Sequence, residues 1–178
     1  MSRPRQLHNI ALIGFMGTGK SSVGRALAEQ LHFEFVDTDE LIEARTGKSI
    51  NAIFAENGEP EFRKLESQLV AELASRGNLI ISTGGGLAAN KANLDSLKSH
   101  ALVVCLWAGP EKIFQRVRHQ SHRPLLHEAD PLAKIKTLLA AREPFYRQAD
   151  VMVNTDLRSV KAVAQQIVHQ FQLATKAP

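Results

Sequence analysis

Residues Gly14-Phe15-Met16-Gly17-Thr18-Gly19-Lys20-Ser21 follow the pattern G-x-x-x-x-G-K-[ST], and the apolar run Ile10-Ala11-Leu12-Ile13 stands directly before them. Behind them Val23, Leu27 and Leu31 recur at helical spacing. A buried strand that turns through glycines into an amphipathic helix commits the chain to an α/β architecture. Glycines without a Cβ let the backbone wrap closely around an anion, so that successive N–H groups point at it. Lys20 then supplies a movable charge for the β- and γ-phosphates, Ser21 a hydroxyl for Mg²⁺, and the helix N-terminus its partial positive charge. The pattern implies binding of ATP or GTP.

The remainder of the chain continues the alternation. Apolar runs at Asn9 to Ile13, Phe33 to Val36, Leu79 to Ser82, Ala101 to Trp107 and Val151 to Val153 are separated by helical patterns, several of them between residue 37 and about Arg76. Five strands wound with helices predict a three-layer α/β domain around a parallel sheet. A chain of 178 residues is long enough for one full core, and a single domain over 1–178 is expected. The least core-like stretch, about 119–130, reads as a long exposed loop, either a lid or a mobile surface segment. Its histidines His119, His122 and His127 lack a cysteine or a paired ligand set and read as solvated rather than zinc-binding. The tail after about Leu173 is expected to fray.

Composition narrows the partners. No stretch approaches the roughly 18 to 20 apolar residues of a bilayer span, so a soluble, unprocessed protein is expected. The one cysteine, Cys105, lies in an apolar run and reads as a core residue, which suits a reducing cytosol. A net charge of +4 raises nucleic-acid binding, but the basic residues are scattered and aromatics make up only 6% of the chain. Small anionic substrates account for the balance better.

Acceptor chemistry has to come from elsewhere in the chain. Asp37 and Asp39, two positions apart at the end of a short strand, would face the same way if extended, one toward Mg²⁺ or its waters and the other toward a hydroxyl group. Alternatively one of them caps the helix starting near Glu40. Arg63 lies on a helix with apolar positions Phe62, Leu65, Leu69 and Leu73, where a solvated face is the default. Gly84-Gly85-Gly86 ends the run at Leu79 to Ser82; close approach of a ligand to backbone N–H groups explains three glycines better than a plain turn. That run ends in Ser82-Thr83 rather than in the acidic residue that holds Mg²⁺ in many nucleotide-hydrolysing enzymes.

Taken together, Gly14 to Ser21, Asp37-Thr38-Asp39, Gly58-Glu59-Pro60-Glu61-Phe62-Arg63, Gly84-Gly85-Gly86, Arg123-Pro124-Leu125-Leu126 and Arg142-Glu143-Pro144-Phe145-Tyr146 resemble, in order, the motifs of the shikimate kinases. These are P-loop enzymes related in fold to nucleoside monophosphate kinases, and the resemblance spans about 8–172. It implies a P-loop kinase fold with a lid, a monomer, and transfer of the γ-phosphoryl of MgATP to the 3-hydroxyl of shikimate in chorismate and aromatic amino-acid biosynthesis in the cytoplasm. Neither nucleic acid nor membrane enters as a partner.

The resemblance also implies residue roles. Gly17, Thr18, Gly19, Lys20, Ser21 and Ser22 hold the phosphates, with Arg116 and Arg158 at the adenine end. Ser21 ligands Mg²⁺ with Asp37 nearby through water. Asp39 binds the hydroxyls of shikimate and orients them, Arg63 and Arg142 grip its carboxylate, and in the turn Gly84, Gly85 and Gly86 the backbone amide at Gly85 adds a contact; the shikimate-binding region spans about 37–66. Lys20, Asp39 and the lid residue Arg123 form the catalytic set. Rival readings are a gluconate or nucleoside monophosphate kinase on the same scaffold, disfavoured by this acceptor set. A GTPase-like switch is disfavoured because Asn90-Lys91-Ala92-Asn93 lacks the aspartate of a guanine-reading segment.

Overall fold

In the computed structural model, which describes residues 5–119 and 129–176, the strands β1 (Asn9–Ile13), β2 (Glu34–Asp37), β3 (Leu79–Ser82), β4 (Ala101–Trp107) and β5 (Val151–Asn154) form one sheet. Its order is β2-β3-β1-β4-β5, with every neighbouring pair parallel. The five expected strands are all present. The second starts one residue late because His32 turns left-handed (φ 55°) at the end of the first helix and Phe33 still donates its N–H to Ala28 O.

Parallel strands must be joined by crossovers, and helices supply them. α1 (Lys20–Leu31), α2 (Thr38–Thr46), α3 (Ile50–Leu73), α4 (Lys91–His100), α5 (Pro110–Val117) and α6 (Pro131–Tyr146) lie between strands, and α7 (Val160–Lys176) follows the last of them. This final helix continues to Lys176, into the stretch expected to fray, whose final two residues lie outside the described ones. Side chains alternate across the sheet with the period of two that a strand imposes. Ile10, Leu12, Ile80, Leu102, Val104 and Leu106 pack toward α1 and α7. Ala11, Ile13, Ile81, Val103 and Cys105 pack toward α3, α4, α5 and α6. Burial on both faces explains the unbroken apolarity of β4.

Two local features set up the site. Gly58 (φ 81°, ψ 168°) breaks α3, and Pro60 opens the second half, which carries Arg63 toward the sheet. At the opposite end of the sheet from the site, Asn9 ties three segments together. Its side chain accepts from Leu79 N–H and donates to Arg76 O, and it pairs with His100 Nδ1 at 2.8 Å. Among the described residues no helix is long and apolar enough to cross a membrane.

Candidate active site

The glycine loop leaves β1 at the carboxyl edge of the sheet and enters α1 through Gly19, whose φ of 99° belongs to the left-handed region that favours glycine. Gly17 is also left-handed (φ 75°), and a Cβ there would stand 2.7 Å from Val117 Cγ1. No side chain caps the start of α1, so its first N–H groups face outward as an anion site. Lys20 Nζ donates to Gly14 O and Phe15 O, both at 2.9 Å, and Thr18 Oγ1 donates to Phe15 O at 2.8 Å. These bonds hold the loop in its curve. Ser21 and Ser22, on the first turn, line a cavity of about 260 Å³ with Lys20, Asp37, Asp39 and Gly84.

Asp37 and Asp39 do share that cavity, though not by strand alternation. The helix begins at Thr38 rather than near Glu40, and Asp37 is its N-cap: Oδ1 accepts from Asp39 N–H at 3.0 Å and Glu40 N–H at 3.3 Å. Capping therefore falls to Asp37 and not to Asp39. Asp39, in the first turn, keeps Oδ1 buried without a hydrogen-bond partner among the described residues. Burial raises its pKa above the ordinary carboxylate value, the nearby charge of Asp37 raises it further, and Lys20 opposes both. A buried acceptor atom with no donor among the described residues is open to a donor from outside the chain.

The glycine triplet has a steric reason within the chain, beside the ligand approach that its sequence suggests. None of the three is left-handed, so backbone freedom is not required. Space is. A Cβ on Gly84 would stand 2.6 Å from Asp39 Oδ1, one on Gly86 2.8 Å from Arg63 Nη2, and one on Gly85 3.4 Å from Arg142 Nη1. Gly84 and Gly86 thus leave room for Asp39 and Arg63, while a Cβ on Gly85 would make only ordinary contact with Arg142. The backbone of the turn is itself tied down, Gly84 N–H to Thr38 Oγ1 at 3.1 Å and Gly85 O to Tyr146 Oη at 2.7 Å.

Arg63 is not on a solvated face. Its Nη1 donates to Glu66 Oε2 at 2.7 Å, and its Nε and Nη2 donate to Glu59 Oε1 at 3.1 and 2.9 Å. Two carboxylates thus orient one guanidinium toward Gly86. Arg142 lies with its guanidinium carbon 5.2 Å from the centre of the Phe15 ring. Arg63, Gly86 and Arg142 line a second cavity, about 350 Å³, next to the first.

Arg116 and Arg158 line a third cavity of about 230 Å³ with Thr18, Gly19, Ser22 and Thr155, on the far side of the phosphate loop. Arg116 also braces that loop, donating through Nη1 to Gly17 O at 3.1 Å and through Nη2 to Thr155 O at 2.6 Å. Arg158 is exposed and held locally by Gln166 and Ala162 O. The described candidate residues therefore line three cavities grouped around the phosphate loop and the glycine turn. The expected lid, Arg123 included, falls almost wholly on 120–128 and lies outside the described residues, as do His122 and His127.

Three contributors were not singled out as site residues in the sequence. Glu66 occupies the buried stripe Phe62, Glu66, Leu69 and Leu73 at spacings of four, three and four, so a glutamate in an apolar slot was its signal. Burial raises its pKa, against the lowering effect of Arg63. Tyr146 follows Arg142 by one helical turn on α6. Thr155, whose Oγ1 donates to Thr18 O at 3.0 Å, carried no local signal.

A family model, two relatives and a solved structure similar to this chain share one description. Residues 16–172 match the family model described as shikimate kinase. A shikimate kinase from Pelotomaculum thermopropionicum is 46% identical over 163 residues, covering 92% of this chain and 95% of that one. One from Caldanaerobacter subterraneus subsp. tengcongensis is 41% identical over 165 residues, covering 93% and 96%. Among solved structures, shikimate kinase from Acinetobacter baumannii in complex with shikimate superposes with a TM-score of 0.89 at 40% identity, covering 98% of this chain and 97% of that one.

Proposed function

The chain belongs to the shikimate kinase family, and from that premise we propose how its residues divide the work of the reaction. That reaction is transfer of the γ-phosphoryl group of ATP to the 3-hydroxyl of shikimate, giving shikimate 3-phosphate and ADP. The observation that carries the assignment is the convergence of Asp39, Arg63 and Arg142 on three consecutive glycines beside the phosphate loop.

Shikimate carries one carboxylate and three hydroxyls. Guanidinium groups pair with a carboxylate through parallel hydrogen bonds, so Arg63 and Arg142 grip that end. Asp39, with Oδ1 waiting for a donor, takes a hydroxyl and orients the acceptor oxygen toward the γ-phosphate. Phosphoryl transfer asks mainly for such positioning and for charge neutralisation. We assign Asp39 to orientation rather than to early proton removal, because in a loose transition state the acceptor proton leaves late. Backbone N–H groups from Gly17 to Ser22 cradle the phosphates, and Lys20 follows the charge onto the leaving ADP. Arg123 is assigned to the transferring group as the lid closes. Arg116 and Arg158 contact the base.

The donors near the phosphates fit a hard divalent cation. Ser21 and Asp37 supply oxygen, and among the described residues no cluster of three His, Cys, Asp or Glu side chains offers a full protein cage. Mg²⁺ matches that description, taking most of its ligands from phosphate and water. When bound it offsets the charge between the β- and γ-phosphates. We read the chain as one domain over 1–178 that acts as a cytoplasmic monomer without nucleic-acid or membrane partners. The buried thiol of Cys105, pushed up to about 12 by burial, suits that compartment as an inert core group.

The direct test is ADP release by purified protein with MgATP and shikimate, gluconate, AMP or CMP, against an acceptor-free control. Turnover with shikimate alone is expected. Turnover with gluconate or a nucleotide would overturn the acceptor assignment while leaving the phosphate site intact.

A further inference from the structure

We propose that Tyr146 is a positioning residue for the acceptor carboxylate, acting through the carbonyl of Gly85 and through Arg142. The proposal rests on the acceptor reading given above. Tyr146 is the only tyrosine in the chain, and it is 1% exposed. Its hydroxyl donates to Gly85 O at 2.7 Å, and the same carbonyl lies 3.4 Å from Arg142 Nη1. Residues four apart on a helix share a face, so α6 delivers both groups to one atom of the glycine turn.

The geometry explains why that atom needs holding. A run of three glycines has no side chain to anchor it and wide freedom to rotate its peptide planes. Its first N–H is fixed by Thr38, and its 85–86 peptide is fixed by the phenol. Gly85 also lies against the phosphate loop, since a Cβ there would be 3.6 Å from Met16 N and 3.7 Å from Gly14 O. Rotation of this peptide would disturb both walls of the acceptor pocket. Phe15 supports the plane of Arg142 from beneath, while the Gly85 carbonyl gives that guanidinium a direction. Burial pushes the phenol up to about 12, so it remains a donor at working pH.

Tyr146→Phe removes one hydroxyl and keeps the ring in its packing. Expected is a rise of about five- to tenfold in KM for shikimate, with kcat and the KM for ATP changing by less than about twofold. Because the effect runs through Arg142, the same substitution made in an Arg142→Ala background should add less than about twofold. The lone tyrosine permits a second readout. Fluorotyrosine incorporated biosynthetically labels this side chain alone, and its ¹⁹F resonance should move on adding shikimate without nucleotide and stay in place on adding ADP alone.

An unchanged KM for shikimate, equal rises for both substrates, full multiplicative loss in the Arg142→Ala background, or a resonance indifferent to shikimate would overturn the assignment. Should Tyr146→Phe fail to fold, the fluorine readout decides by itself. Wild-type turnover measured alongside separates the two levels: no turnover with shikimate brings down the acceptor reading and this inference with it, whereas turnover with a flat Tyr146→Phe response brings down this inference alone.

Discussion

Glu66, 1% exposed, accepts a hydrogen bond from Arg63 Nη1 at 2.7 Å through Oε2, while its Oε1 has no partner among the described residues. A carboxylate in an apolar stripe is costly to bury, and its raised pKa records that cost. Its return is the direction it gives to Arg63. Glu66→Gln keeps the packing and removes the charge. A hydrogen bond to a charged group contributes about 1.5–3 kcal/mol, and Glu59 still holds the other edge of the guanidinium. KM for shikimate should therefore rise roughly tenfold, with the KM for ATP little changed. Equal effects on both substrates in a steady-state titration would mean that Glu66 supports the fold and not the pocket.

Gly84→Ala tests the origin of the glycine triplet. Its backbone is not left-handed, so alanine brings no conformational strain. The new methyl group would stand 2.6 Å from Asp39 Oδ1. The expected result is a folded protein whose kcat/KM for shikimate falls by at least about 100-fold, an order of loss typical of a displaced catalytic constellation. Binding of a fluorescent ATP analogue should change little. Normal shikimate kinetics in this variant would return the triplet to the ligand-approach explanation.

The strands and the phosphate loop were legible because each rests on a local rule: short apolar runs for strands buried on both faces, and glycines that let the backbone curve before α1. The acceptor pocket rests on relations between distant residues. Gly86 stands against Arg63, and Gly84 against Asp39, contacts that no spacing along the chain announces. The Asp37–Asp39 pair was identified for a reason the structure replaces. Both enter the cavity because a helix starts at Thr38, so a pattern read as strand alternation is in fact a cap followed by a first turn. Glu66 was overlooked because Leu65, one residue earlier, satisfies a helical pattern almost as well. Only packing distinguishes the half-buried Leu65 from the buried Glu66.

Asp37 carries two roles that one pair of substitutions can separate. Asparagine caps helices about as well as aspartate, whereas alanine does not. Asp37→Asn should keep the melting temperature within about 2 °C yet raise the Mg²⁺ concentration needed for half-maximal rate, with a smaller effect on KM for shikimate. Asp37→Ala should show the same Mg²⁺ effect and also lose stability, about 1 kcal/mol from the missing cap. If Asp37→Asn instead raises KM for shikimate and leaves the Mg²⁺ titration alone, the two aspartates have exchanged roles.

Asp39 should trade stability for function, and pH exposes the trade. Its folded pKa lies above the unfolded value of about 3.9, first because it is buried and then because Asp37 is near. Between those two values the folded chain binds more protons than the unfolded chain, so this group's contribution to stability falls as pH rises. Above the folded pKa the cost of the buried charge is fully present. Asp39→Asn removes that charge within nearly the same volume. The variant should melt higher than wild type at pH 7 to 8, by on the order of 2 °C, and the gap should close as pH falls toward about 4. Over the same range its turnover of shikimate should drop by about 100-fold or more, because the amide no longer offers a charged acceptor to the substrate hydroxyl. A variant that melts lower than wild type at neutral pH would show that Lys20 and Arg63 more than offset the burial of Asp39, and that this carboxylate stabilises the empty pocket as well as serving the acceptor.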